Sequence, residues 1–289
     1  MGTDFSIVIV CHDNDLADRL AHAGQEKIHA YEARFSRFLS TSELTRTNTE
    51  KDVHVSPIFM EVTQKAYELF VHTKGIFNPL VQIEKLGYTK NFDDIDVTDT
   101  VDTVETYDID FSTTIIDPAH SRIILSKGQK LDFGGFLKGY LAEVIAREIK
   151  EHSPLITGVI VNIGGDIHAQ GHDVDENEFT FTIYNPVTND ENITITLHNK
   201  SLATSGTYKR TWTNKNSPVH HILDVSGTQN PDSDIVSASV IHADGGTSEA
   251  YTKVFLSMKP EDASHLLQEE EALPYVLIRN NGEVIKNCV

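Results

Sequence analysis

Two cysteines, Cys11 and Cys288, stand near opposite ends of a 289-residue chain, which excludes a disulfide framework and leaves at most a terminal clasp. Basic residues are also scarce: 24 lysines and arginines face 43 aspartates and glutamates, for a net charge of -19. That balance excludes long-range attraction to nucleic acid or an anionic membrane, so any phosphate site has to be built locally. No apolar run approaches the roughly 20 residues that span a bilayer. The N-terminus lacks the basic region of a signal peptide, and its alternating run Ile7-Val8-Ile9-Val10 stops at Cys11-His12-Asp13, as a first strand would. As written, the chain is expected in the cytoplasm, with an exported or lipid-anchored parent that has lost its leader as the alternative. Fourteen histidines are present, yet His220 and His221 point to opposite faces if they share a strand, and zinc is not expected. Hard-metal chemistry stays open, because Asp132, Asp166, Asp244 and Glu249 offer oxygen ligands of the kind magnesium prefers.

With 39% hydrophobic residues, the chain can bury one large core or two that share an interface. A single domain over residues 1–289 is expected, with two subdomains as the open alternative. Helical spacing of Leu16, Leu20, Ala23, Ile28, Tyr31 and Phe35 predicts a long amphipathic helix from Asp13 to Phe38. Ser56-Pro57 supplies a cap followed by proline and predicts a second helix that runs to about Thr73, before Lys74-Gly75. Pro79 holds Asn78 extended. Lys90 to Thr114, acidic and aperiodic, reads as a surface excursion tolerant of change. Strands are predicted at Ile123–Leu125, Gly158–Ile163, Phe179–Tyr184, Ile193–Leu197, His221–Asp224, Ile235–Ile241 and Tyr275–Arg279, with helices at Gly246–Ser257 and from Pro260. Strands and helices mix without a regular βαβ repeat, which predicts an α+β fold.

Three stretches carry chemistry. Leu131 to Tyr140, LDFGGFLKGY, reads as a strand, a glycine turn and a helix from Tyr140 to Lys150; the helix N-terminus and Lys138 would suit an anion such as a diphosphate. A bare glycine-rich strand-to-helix turn is the competing reading. Asn162-Ile163-Gly164-Gly165-Asp166 is a second glycine turn, with Asp166 available to a ribose hydroxyl or an adenine amine. The third stretch, Leu202 to Arg210 with His220 to Asp224, gathers hydroxyls including Ser205, a cationic pair and His221, a candidate general base.

Taken in order, Met1-Gly2-Thr3, Phe35-Ser36 with Ser42-Glu43-Leu44, Gly75 to Pro79, Leu86-Gly87-Tyr88, Asp132 to Tyr140, Asn162 to Asp166, Ala203 to Arg210 and His221 to Asp224 resemble the FAD:protein FMN transferases of ApbE type. The resemblance runs from Met1 to about Met258. It implies a T-fold-like α+β architecture of two packed halves with FAD between them. It also implies magnesium-dependent transfer of the FMN half of FAD to a threonine or serine hydroxyl of a target flavoprotein, with release of AMP. Met1, Phe38, Ile76, Phe77, Asn78, Asp132, Lys138 and Leu223 match its flavin-nucleotide contacts, and Asp166 and Ser205 join them from the turns above. Phe38 replaces the family's tyrosine or tryptophan. His221 matches the base or positioning group for the acceptor hydroxyl, although Val225 replaces the usual proline after Asp224. Gly135 matches a magnesium ligand acting through its carbonyl. The chief departure is the metal helix, where the family has aspartate followed four residues later by threonine. Here Ser248 precedes Thr252 and Glu249 precedes Lys253 at that spacing. Glu249 with Thr252 is the expected magnesium pair, and the alternative gives Lys253 the ion's place. Hydrolysis of FAD to FMN and AMP, or FAD binding without catalysis, are the rival functions.

Overall fold

The computed structural model describes residues 3–80, 83–86, 108–209, 211–214, 217–258 and 273–287. In chain order the elements begin with β1 (Phe5–Cys11), α1 (Asn14–Phe35), α2 (Glu43–Glu50), β2 (Asp52–His54), α3 (Pro57–His72), β3 (Ile115–Asp117) and β4 (Arg122–Ile124). They continue with α4 (Leu137–His152), β5 (Ile156–Ile163), β6 (Asp166–Gly171), β7 (Phe179–Asn185), β8 (Asp190–Leu197) and β9 (Lys200–Gly206). The last are β10 (Thr211–Asn214), β11 (Ser217–His220), β12 (Ile235–His242), α5 (Gly245–Ser257), β13 (Tyr275–Arg279) and β14 (Val284–Lys286). The expected α+β class holds. Seven strands form the main sheet in the order β1-β5-β6-β9-β12-β13-β14, with antiparallel neighbours throughout.

Alternation in the strands sets the two faces of this sheet. Val159, Val161 and Ile163 of β5 join the large core under the helices, whereas Ile160 packs with a second core beneath the hairpin β7–β8. α4 turns Leu137, Leu141, Ala142, Ile145, Ala146 and Ile149 inward at helical spacing, and α1 lays Ile28, Tyr31 and Phe35 into the same core. α3 starts as the sequence predicts: Ser56 accepts from the Phe59 amide and Pro57 occupies the first turn.

An aromatic ladder seats the first glycine turn. Phe35 stacks on Phe59 at 5.3 Å, Phe133 meets both edge-on, and Phe136 is edge-on to Phe133 and to Phe77, each at 5.9 Å. These contacts fix the segment leading into α4. The Asp132 amide donates to the Pro79 carbonyl at 2.8 Å, which brings the Asn78-Pro79 bend alongside.

Where α4 crosses α5 the backbones touch. A Cβ on Gly139 would lie 2.2 Å from the Gly245 carbonyl oxygen, and one on Gly245 would lie 2.1 Å from that of Gly139. Neither backbone can retreat cheaply, so Gly139→Ala is expected to cost about 3 kcal/mol or more, at the top of the usual range for overpacking or beyond it. A urea midpoint within experimental error of the wild type would contradict this crossing.

His168 is buried on β6; its Nδ1 lies 2.8 Å from Ser201 Oγ and its Nε2 3.3 Å from Gln170 Oε1. Burial pushes its pKa down from 6.5 to about 4. Between those values the unfolded chain holds a proton that the folded chain refuses. This stability is therefore present above the unfolded pKa and is lost as pH falls toward the folded one, by about 3 kcal/mol in all. His168→Gln is expected to flatten that part of the stability–pH curve; urea midpoints at pH 7 and near pH 4.5 compare the slopes. His168 and His172 are four apart, a spacing that shares a face on a helix, but β6 is a strand and ends at Gly171.

Several expectations need correction. The first helix ends at Phe35, because Ser36 turns extended. His221 to Asp224 is not a strand: the Asn230 side-chain amide donates to the carbonyls of His220 at 2.7 Å and Ile222 at 2.6 Å, taking acceptors that a ladder would need. Lys200–Gly206 is a strand, although it reads as a polar cluster. Phe111, inside the supposed surface excursion, is fully buried and meets Phe70 and Tyr67 edge-on, so that end does not tolerate change. The rest of that excursion up to residue 107, the helix from Pro260, Met1, Gly87, Tyr88, Arg210 and Cys288 lie outside the described residues. Among those described, no helix is long and apolar enough to cross a membrane.

Candidate active site

The helix after the first glycine turn begins at Leu137, so Lys138 lies in its first turn. The helix has no side-chain cap of its own at Phe136. A carboxylate from α5 fills that role: Glu249, with no exposed surface, accepts from the Gly139 amide through Oε2 at 2.9 Å. The anion expected at this helix terminus is thus already supplied in part by the protein. The Lys138 ammonium pairs with Glu249 Oε1 and, at 2.8 Å, with Asp166 Oδ2. Lys253, one turn after Glu249, reaches the same Oε1 at 3.1 Å and donates to Ser205 Oγ at 2.9 Å. Thr252 Oγ1 contacts Ser205 Oγ at 2.7 Å and the Glu249 carbonyl at 2.6 Å.

Asp166 reaches this cluster because the second glycine turn folds back sharply. Gly164 and Gly165 take φ of 65° and 97°, and Asn162 Oδ1 accepts from the Gly165 amide at 2.8 Å. Asp166 then starts β6 pointing inward. Its Oδ1 is buried without a hydrogen-bond partner among the described residues, a state that invites a proton, a water or a ligand donor.

Two carboxylates and two ammoniums balance in charge. Burial disfavours the Lys138 ammonium, but Asp166 and Glu249 overcome it and hold its pKa above the ordinary lysine range. Burial and the Glu249 charge push Asp166 up. Burial opposes the Glu249 carboxylate too, yet Lys138 and Lys253 keep it anionic and its pKa low. Burial lowers Lys253.

These donors do not fit the magnesium expected at Gly135, Glu249 and Thr252. Both Glu249 oxygens are engaged, one of them by two ammonium groups, and the Thr252 hydroxyl is spent on its neighbours. A divalent ion about 4 Å from one ammonium would meet ~8 kcal/mol of repulsion at an effective dielectric of ~20, and the carboxylates could offset it only by giving up the lysines they already hold. Gly135 lies under the Phe77 ring, where an added Cβ would sit 2.9 Å from its edge. Ser248 also stands aside: its hydroxyl donates to the Val240 carbonyl at 2.6 Å and accepts from the Ala203 amide, clamping α5 to the sheet. Among the described residues no group of three or more histidine, cysteine or acidic side chains is arranged to hold a metal.

The remaining predicted residues form two groups. Asp132 accepts from the Gly134 amide at 2.8 Å and faces Arg37 at 3.6 Å, while Arg37 also lies 4.6 Å over the Phe38 ring. Arg37 escaped the sequence reading; its place between Phe35-Ser36 and Phe38 was the available signal. Asn78 spends its side chain on the Ile109 carbonyl and the Leu80 amide, and Phe77 is buried beside half-buried Ile76. His221 lies half-buried at the bend after β11. Leu223, two residues on, packs with Ile83, Leu86 and Trp212, and its carbonyl accepts from Ser257 at 3.0 Å. The end of α5 therefore ties the His221 segment to the helix that carries Glu249 and Lys253.

A model of the ApbE family matches residues 1–277. The FAD:protein FMN transferase of Klebsiella pneumoniae is 23% identical over 99% of this chain and 89% of its own length. That of Haemophilus influenzae is 22% identical, over 99% and 87%. Among solved structures, an ApbE protein from Thermotoga maritima aligns with a TM-score of 0.84 at 22% identity, covering 99% of this chain and 96% of that one. The flavin transferase ApbE from Vibrio cholerae aligns at 0.79 and 19% identity, over 99% and 94%. These likenesses show a shared fold.

Proposed function

The chain belongs to the ApbE family, and from that premise we propose that it is an FAD:protein FMN transferase, moving FMN from FAD to a threonine or serine hydroxyl of a target flavoprotein. The observation that carries the reading is the layering of charge below the glycine turn. Lys138 and Lys253 keep 20% and 19% of their side-chain surface open, whereas Asp166 and Glu249 are sealed beneath at 3% and 0%. The exposed part of the cluster therefore belongs to the lysine side chains. On a chain of net charge -19, that local face gives a diphosphate its attraction.

In the proposed reaction the acceptor oxygen attacks the FMN-side phosphorus. One P–O bond forms as the P–O bond to the AMP half breaks, and AMP departs with the bridging oxygen. His221 takes the acceptor proton, and Lys138 offsets charge gathering on the phosphoryl oxygens. Met1, Phe38, Ile76, Phe77, Asn78, Asp132 and Leu223 serve the flavin nucleotide, while Asp166 and Ser205 hold the two lysines in place. Magnesium enters no step, because the donors present do not suit it.

The test is to incubate the protein with FAD and a candidate flavoprotein, follow the acceptor by intact mass, and measure AMP. A covalent FMN increment matched by AMP is the expected result. Free FMN and AMP without an adduct would make the protein an FAD diphosphatase, and unchanged FAD would make it a binding protein.

A further inference from the structure

Lys253 is not used by the sequence pattern that carries the family resemblance, yet it stands at the centre of the site. We propose that its ammonium is a built-in replacement for a divalent cation, so that FAD turnover at this site runs without metal. The inference rests on the transferase reading above.

Three observations meet at this side chain. Its Nζ lies 2.9 Å from Ser205 Oγ and 3.1 Å from Glu249 Oε1, and Ser205 is itself 2.7 Å from Thr252 Oγ1. The ammonium thus occupies the group of oxygens that a hard cation would gather. The placement is also preset: Glu249 and Lys253 are four apart on α5, in the favourable order along the helix, and Glu249 is anchored to the Gly139 amide. Finally, the Lys253 side chain keeps 19% of its surface open while Glu249 keeps none, so the lysine is the member of the pair that an arriving diphosphate can reach. A lysine offers three donors in several directions and can hold phosphate oxygens as a point charge.

Protein loaded with FAD is titrated with Mn2+ as a spectroscopic stand-in for Mg2+, and the free-ion resonance is followed. The expected result is no stoichiometric uptake, together with a transfer rate in excess EDTA within about two-fold of that in Mg2+. Lys253→Met, which keeps the stem and removes the charge, is expected to slow transfer in EDTA by about 100-fold. Uptake of one equivalent of Mn2+ by the wild-type FAD complex would overturn the proposal. So would transfer silenced by EDTA and restored by Mg2+, or a Lys253→Met protein that is folded and fully active in the chelator. If no AMP forms with metal or with chelator, the transferase reading fails by itself, and Mn2+ uptake by the FAD complex still decides whether the ammonium has taken the ion's place.

Discussion

Lys138→Met is expected to lower the stability of the fold by about 3 to 5 kcal/mol at neutral pH and to abolish FAD turnover. The side chain lies between Asp166 and Glu249, both buried, and balances both. Methionine preserves most of the volume, so the loss isolates charge. Glu249 would keep Lys253 and the Gly139 amide, whereas Asp166 would lose its direct ion pair and keep just the more distant charge of Lys253. Breaking a buried pair from one side leaves an uncompensated charge, which is the origin of the magnitude. Burial and Glu249 already raise the Asp166 pKa, so a proton can take the lysine's place as pH falls. The deficit should therefore shrink as pH falls toward the ordinary carboxylate range. Urea midpoints at neutral and at mildly acid pH measure it, and a loss below about 1 kcal/mol at neutral pH would show that solvent reaches the pair.

His221→Ala should separate chemistry from binding. A base acts mainly in the transition state, so transfer is expected to fall about 100-fold or more while FAD affinity stays within a few-fold. Single-turnover rates and calorimetry give the two quantities. An unchanged rate would remove His221 from the mechanism, and a matching collapse of affinity would make it a binding residue. The change lies on an irregular segment whose backbone is held by Asn230, so the fold should survive it.

The glycine turn and helix within Asp132 to Tyr140 were legible because their signals are local: two glycines, then apolar residues at helical spacing; the strand expected before them is absent, since the Asn48 side chain takes both backbone groups of Leu131, and the helix starts at Leu137 and not at Tyr140. The cap at Ser56 and the alternation in β5 were legible for the same reason. β9 was not. Its hydroxyls point to partners that sequence does not reveal, Ser205 to Thr252 and Lys253, and Thr204 to Ser239 at 2.8 Å. A strand that buries hydroxyls loses the apolar alternation by which strands are recognised. The stretch after His220 failed in the opposite sense, since its composition suits a strand but Asn230 takes the backbone acceptors. Glu249 and Lys253 show the largest gap. An acid and a base four apart on a helix ordinarily form a solvated pair, and here α4 over Glu249 and β9 against Lys253 turn it inward.

That approach has a consequence for hydrogen exchange. Amides in the first turn of a helix ordinarily exchange quickly, because they have no partner within the helix. The Gly139 amide lies in such a turn, yet it donates to a carboxylate with no exposed surface, across a crossing that leaves no room even for a methyl group. Local breathing cannot reach it; α4 and α5 must part. Its exchange rate should accordingly report the free energy of global unfolding, which makes one backbone proton inside the site a gauge of the whole fold. If that amide exchanged as fast as those of a frayed helix end, the two helices would separate independently of the rest.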